Sequence, residues 1–302
     1  MTRRRLRPRL QTDPRSLLAR ATLACLLAAP APAFADTPAA AAPPAATPPV
    51  YDAPVTISPY GLVFVEVAVN GRRALALVDT GSFRGVEISS RLATSLGLAL
   101  KDSETIAKRH EGKELRLREG RAETLAIGGM KRLDVPVSLV EGDVERISER
   151  VETPFDVILG WGFLSRYFIL LDYRERTIRW SEGAWTEGER PGAGRAAPIP
   201  YETVKGVPVV TGVIGADSLR LLVDTGAPTC NLDAAIAGAP AGELVPRSLD
   251  LGGGRTEVSF RVKDLGVIRE SLGCSAVLGN NLFAAGRLYF RPGEGTISIV
   301  RP

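Results

Sequence analysis

A single histidine, His110, stands in 302 residues. Ser-His-Asp and Cys-His mechanisms need a histidine base held by a second group, and one isolated histidine is a poor basis for either. Zinc sites ordinarily use two or more His or Cys ligands, so no metal is expected, nor any organic cofactor. Aromatic residues make up 6% of the chain, whereas glycine (31) and proline (22) are plentiful. That balance points to short strands and turns and away from long helices. Cysteine is scarce too: of the three, Cys25 lies near the N-terminus, leaving Cys230 and Cys274. An oxidising compartment permits a Cys230–Cys274 bridge, but two buried thiols fit the sequence equally well. Long apolar runs are also missing. The stretch from Ala21 to Ala29 is bounded by Arg20, Pro30 and Pro32 and is too short to span a bilayer.

The basic character of the chain is local. Its pI of 9.1 comes from residues 1–35, which hold seven arginines against one acid, Asp13. Without them 31 basic and 33 acidic residues remain, a net charge of −2 that gives no reason to expect a nucleic-acid partner. An Arg-rich start, a short apolar stretch and Ala33-Phe34-Ala35 before Asp36 read as a signal peptide over residues 1–35. The expectation is an exported protein, periplasmic or secreted, with no stable membrane insertion after cleavage. The Ala-rich leader has a bacterial look. Residues 36–53, mostly Ala, Pro and Thr, read as a tether. Residues 187–198, rich in Gly, Pro and charge, read as a linker between segments 54–186 and 199–302.

Those two segments resemble each other. Gly61 to Ser82 reads GLVFVEVAVNGRRALALVDTGS, and Gly206 to Ala227 reads GVPVVTGVIGADSLRLLVDTGA. The offset is 145 throughout, and each copy runs apolar stretch, turn, apolar stretch, Asp-Thr-Gly. Asn70-Gly71 is a strong hairpin signal, because a type I′ turn needs positive φ at both central positions; Gly215-Ala216-Asp217 fills the second slot. A second match, at an offset of 119, pairs Val157-Ile158-Leu159-Gly160 and the residues after it with Ala276-Val277-Leu278-Gly279 and its continuation. The second copy is therefore 26 residues shorter between the two matches. Leu125–Gly129 pairs with Leu249–Gly253, which puts most of the loss before those Gly-Gly turns. Period-2 alternation in Val63–Val69, Val135–Val140 and Val258–Val262 is strand-like, and Ser89–Leu98 has the spacing of a short helix. Leu75, Leu77, Leu221 and Leu222 fit core strands. Glu141–Glu152 reads as a solvated charged loop, and Trp161 as either pocket wall or core.

One Asp-Thr-Gly is weak, but two copies are not, when each closes an apolar strand and is followed by an apolar-apolar-Gly segment. On these motifs the chain resembles the aspartic proteases of the pepsin and retroviral type, and in particular bacterial retropepsin-like proteases fused in tandem, over roughly Thr56 to Val300. The resemblance implies an all-β, bilobal aspartic-protease fold: two retropepsin-like barrel lobes with short helices, paired within one monomeric chain. It implies an endopeptidase acting on a peptide or protein substrate, with Asp79 and Asp224 as the catalytic pair. Two carboxyls sharing one proton suit amide hydrolysis, the ionised one activating water and the protonated one serving as acid. By the same resemblance Thr80 and Thr225 hydrogen-bond across the lobe junction. Gly81 and Gly226 allow close approach, and Ile158, Leu159, Gly160 and Val277, Leu278, Gly279 brace the two loops.

The copies differ after the glycine, with Ser82 in one and Ala227 in the other. A Ser82 hydroxyl bonded to the Asp79 carboxylate would favour its charged form, so the expectation is an ionised Asp79 and a protonated Asp224. Only the first copy has room for the hairpin that covers substrate in the family, around Lys108 to Leu117, with His110 and Gly112 near its tip. No tyrosine lies there, a departure from the family pattern. The alternative is a peptide-binding module that keeps this fold without catalysis.

Overall fold

Strand alternation sets the first layer of structure. In a computed structural model, residues 48–108, 114–184, 197–284 and 286–301 are described. The expected signal peptide, most of the tether, most of the linker and the pair His110 and Gly112 lie outside them. The first lobe opens with β1 (Val50–Ile57), β2 (Val63–Val69) and β3 (Arg72–Asp79). In β2, Val63, Val65, Val67 and Val69 are buried on one face, while Glu66 on the other is exposed. Asn70 and Gly71 make the β2–β3 turn with φ of 48° and 80°, both in the left-handed region that a type I′ turn demands.

The lobe continues with β4 (Val86–Ile88), helix α1 (Ser90–Ser95), β5 (Lys101–Lys108), β6 (Glu114–Ile127) and β7 (Met130–Val140). Ser89 caps α1, its hydroxyl accepting from the Leu92 amide at 3.0 Å, and Leu92 is buried beneath. Helix α2 (Asp143–Arg150), β8 (Val157–Gly160), α3 (Trp161–Leu164), β9 (Phe168–Asp172) and β10 (Thr177–Ser181) complete it.

The second lobe repeats this order. It runs β11 (Ile199–Val204), β12 (Val207–Ile214), β13 (Asp217–Val223), β14 (Asn231–Asp233), α4 (Ala234–Ala237), β15 (Leu244–Asp250) and β16 (Arg255–Lys263). It ends with α5 (Gly266–Leu272), β17 (Ala276–Leu278), α6 (Asn280–Phe283), β18 (Arg287–Arg291) and β19 (Thr296–Val300). Among the described residues β5 has no counterpart here, and this is where most of the 26-residue difference falls.

The lobes share a six-stranded antiparallel sheet in the order β1-β10-β9-β18-β19-β11. At its centre Leu170 is opposite Tyr289. These two residues are also related by the repeat offset of 119, so the axis relating the lobes passes through that pair. Leu171↔Leu288 and Ile169↔Phe290 flank it symmetrically. One apolar core runs through both lobes, from Val65, Val78 and Leu171 to Val223, Leu278 and Leu288. No helix among the described residues is long and apolar enough to cross a membrane.

Two expectations need correction, and one open alternative is decided. The tether does not extend to residue 53: Val50–Ile57 is a strand, paired with β10 and β2, and it buries Ala53 and Val55. Glu141–Glu152 is not a loop, since it contains α2, whose Val144 and Ile147, with the capping Val151, cover Leu62, Phe64 and Phe155. The i, i+3, i+7 spacing of those three apolar residues is the signal that its charge obscured. The thiols of Cys230 and Cys274 are free, and the two residues are buried in different apolar clusters.

Phe290 is 1% exposed and packs against Trp161 with ring centroids 5.1 Å apart, at the shared sheet. Phe290→Ala should destabilise the protein by about 3–5 kcal/mol. Urea unfolding followed by tryptophan fluorescence checks this, with both lobes expected to melt in one transition because the core is continuous.

Candidate active site

Both Asp-Thr-Gly loops leave buried strands at the lobe junction. Asp79 is the last residue of β3, and Asp224 directly follows β13. Each preceding strand is locked by a parallel ladder: Leu77, Val78 and Asp79 lie against Ile158, Leu159 and Gly160, and Leu222 and Val223 lie against Val277 and Leu278. These eight apolar residues are buried, so neither loop can shift without opening a cavity. Gly160 and Gly279 close the ladders where backbone must come near backbone. A Cβ on Gly160 would stand 2.9 Å from the Ser82 carbonyl oxygen, and one on Gly279 would stand 2.8 Å from that of Ala227.

Thr80 and Thr225 are fully buried and tie the loops to each other. The Thr80 amide donates to Thr225 Oγ1 at 3.0 Å, and the Thr225 amide donates to Thr80 Oγ1 at 3.0 Å. Each hydroxyl then donates across the junction to the carbonyl before the opposite aspartate, Thr80 to Val223 at 2.8 Å and Thr225 to Val78 at 2.7 Å. All four groups are satisfied, which a buried polar cluster requires.

This arrangement brings the half-buried side chains of Asp79 and Asp224 into hydrogen-bonding contact with each other. Gly81 and Gly226 make that approach possible. A Cβ on Gly81 would stand 2.5 Å from Asp224 Oδ1, and one on Gly226 would stand 2.5 Å from Asp79 Oδ1. Asp79 Oδ1 accepts the Gly81 and Ser82 amides at 2.9 and 3.1 Å, and Asp224 Oδ1 accepts the Gly226 amide at 2.8 Å.

The Ser82 hydroxyl does not reach Asp79. It donates to Glu87 Oε1 at 2.6 Å, and Arg84 Nη1 contacts Glu87 Oε2 at 2.5 Å. The hydroxyl bond that was the reason to expect an ionised Asp79 is therefore not made. Burial pushes both aspartates up, Asp79 well above the usual carboxylate value of 3.8, with the negative charges of Asp224 and Glu87 adding to its shift. Asp224 is raised with less support, because the Gly226 amide, the Asp79 side chain, the Ala227 amide and the positive charge of Lys263 work the other way. Both carboxyls are thus held toward the protonated form, and the charge of Glu87 on the Asp79 side against that of Lys263 on the Asp224 side favours the shared proton on Asp79.

Two further residues escaped the sequence reading. Glu87 is an acid at 3% exposure between Val86 and Ile88, and its signal was a lone charge inside an apolar strand. Asn280 stands where the first copy has Trp161. Its Nδ2 donates to the Thr225 and Ala227 carbonyls at 2.7 and 3.0 Å, and its Oδ1 accepts from Tyr173 of the first lobe at 2.6 Å. Trp161 is core, 1% exposed, against Tyr201 and Phe290.

A two-lobed β fold with one aspartate from each lobe meeting at the junction is an aspartic-protease fold. Comparison with known proteins agrees. Residues 65–163 match the family model described as aspartyl protease. The fold is shared with conglutin gamma, a basic 7S globulin from lupine seeds, with a TM-score of 0.53 at 11% identity, covering 85% of this chain and 96% of that one. A retropepsin-like aspartic protease from Rickettsia conorii aligns with 45% of this chain and 93% of its own at 17% identity, with a TM-score of 0.34. No curated protein matches the chain significantly in sequence. The aspartyl-protease likeness in sequence thus lies in the first lobe, over residues 65–163, and the likeness of the chain as a whole is one of fold.

Folding holds the Asp79 proton more tightly than the unfolded chain does. As pH rises past 3.8 the unfolded chain releases that proton first, so stability falls until the dyad itself ionises. Asp79→Asn removes this penalty. It should raise Tm by a few degrees at neutral pH, with the gain shrinking toward zero below pH 3.8. Thermal melts of both proteins across the acid range check this.

Proposed function

We propose that the protein is an aspartic-type endopeptidase, a peptide hydrolase that uses Asp79 and Asp224 on a shared water. The observation that carries this reading is the contact of the two carboxyls, one per lobe, held by the reciprocal threonine hydrogen bonds. In it, Asp224 takes a proton from water as the water oxygen attacks the amide carbon. Asp79 gives its proton to the carbonyl oxygen, forming a gem-diol. The proton on Asp224 then passes to the leaving nitrogen as the C–N bond breaks, and a diol proton returns to Asp79. The cycle needs no metal or organic cofactor.

The substrate in this reading is an extended peptide segment of a protein, bound through its backbone. The β5–β6 hairpin, antiparallel from Lys101↔Glu119 to Lys108↔Glu114, is the part that would cover it. We place the enzyme outside the cytoplasm, in the periplasm or secreted. We take it as a monomer, since both aspartates come from one chain.

A second reading, a peptide-binding module without turnover, draws on the sharing of this fold with a seed globulin. Fold alone therefore argues nothing about catalysis, and the weight rests on the dyad. Asp79→Asn and Asp224→Asn should each lower peptide cleavage by roughly 10²–10⁴-fold or more with the fold intact, the range that a positioned acid or base supplies. Cleavage of a denatured protein substrate from about pH 3 to about pH 8, read by mass spectrometry with and without a statine-type inhibitor, checks this across the range in which such dyads act. Binding without turnover in the wild type would favour the module.

A further inference from the structure

Glu87 is linked to Asp79 through Ser82 and belongs to no part of the chemistry described so far. It lies on β4, with its side chain 4% exposed, and it is held from two sides. The Ser82 hydroxyl donates to Oε1 at 2.6 Å, and Arg84 Nη1 pairs with Oε2 at 2.5 Å. The same serine donates its amide to Asp79 Oδ1 at 3.1 Å, so one residue binds both carboxylates. The Arg84 side chain is itself only 16% exposed and lies over the Phe83 ring, 5.0 Å from its centroid.

The second lobe has the same backbone without this acid. Glu87 is opposite Ile158 in the β4–β8 ladder, and Asn231 is opposite Val277 in the β14–β17 ladder. Ile158 and Val277 are related by the repeat offset of 119, so Asn231 is the structural counterpart of Glu87. A neutral amide, donating to the Thr229 carbonyl at 2.9 Å, thus holds in the second lobe the strand position that a carboxylate holds in the first. Ser82, the link, is likewise replaced by Ala227.

We propose that Glu87 is a positioning acid of this site: fixed by Ser82 and Arg84, it places a negative charge on the Asp79 side alone and so directs the dyad's shared proton onto that residue. The inference rests on the protease reading for its catalytic meaning, though not for its electrostatics. The elements around β4 bring little that competes. Val137 and Ser138 face it from β7, and Val157, Ile158 and Leu159 face it from β8. Asp156, just before β8, is engaged by Ser89 and Arg91. Arg84 is the one cation bound to Glu87 among the described residues, and Asp79 is the acid on which its charge acts. The direction of the Asp79 shift agrees, with Glu87 among its causes. Catalysis needs the singly protonated dyad, so a charge that disfavours losing its last proton extends activity toward higher pH.

The test is Glu87→Gln, which keeps an oxygen for Ser82 while removing the charge, set beside Arg84→Gln, which leaves Glu87 less compensated. Two readouts are taken: the pH profile of kcat/KM, and the pH titration of aspartate carboxyl 13C signals assigned with Asp79→Asn. In Glu87→Gln the upper step of the dyad should move toward acid, with kcat/KM above the upper limb falling about threefold to tenfold. In Arg84→Gln the step should move the opposite way. A merely structural role would not produce opposite signs. Unchanged titrations in both folded variants, or movement in the same direction, overturn the proposal. If Glu87→Gln does not fold, Arg84→Gln decides alone: a rise supports the proposal, and no change or a fall refutes it. If the wild type cuts no peptide, the protease reading fails, and the carboxyl titration still decides the role of Glu87.

Discussion

Two carboxyl groups in contact within a protein interior are a source of repulsion, and a chain free to relax would separate them. The reciprocal hydrogen bonds of Thr80 and Thr225 prevent that. Each threonine spends both its amide and its hydroxyl on the opposite strand, through four bonds of 2.7 to 3.0 Å. The bonds are mutual, so either loop can move away only by stranding buried polar groups on both, a cost of about 1–3 kcal/mol for each group left unsatisfied. The dyad is thus held together by its supports as well as by the proton that the two carboxyls share.

A second anchor of the lobe relation lies in the shared sheet, where Leu170 and Tyr289 mark the axis on the β9–β18 pair. Between this sheet and the threonines runs the continuous core of both lobes. The β3–β8 and β13–β17 ladders carry the rigidity of that core to the aspartates, and the glycines at the loops exist because nothing larger than hydrogen fits against the facing carboxylate. A frame fixed at two places on one axis leaves little freedom for the aspartates to drift apart, which is the kind of preorganisation that acid–base chemistry on a bound water requires.

Much of this frame is legible in the sequence because it is written twice. The offset of 145 at the Asp-Thr-Gly motifs and of 119 at the apolar-apolar-Gly segments identify the loops and their braces without coordinates, and the drop between them locates the extra strand β5. The sheet joining the lobes was hidden, because β9 and β18 are buried on both faces, and an apolar run carries no sign of which strand it will meet. Helix α2 was hidden for the opposite reason, its charges masking three apolar residues that cover Phe64 and Phe155. Ser82 was misjudged because the position next to an aspartate suggested a partner, while the better acceptor, Glu87, comes from a strand five residues on. Short sequence separation says which groups can meet, and only the path of the backbone says which do.

The backbone is nearly symmetric about the site, and the side chains are not. Ser82 faces Ala227 across the axis, Glu87 faces Asn231, and Trp161 faces Asn280, while Lys263 adds a positive charge on the Asp224 side. A perfectly symmetric dyad would share its proton equally between two equivalent positions, and neither aspartate would be committed to the role of acid or base. In a dimer of identical chains, an acid linked to one aspartate would be linked to both and leave that equivalence intact. A chain holding both copies escapes the constraint, since each half accepts substitutions that the other does not. Backbone symmetry then sets the distance between the carboxyls, and broken side-chain symmetry sets which of them holds the proton.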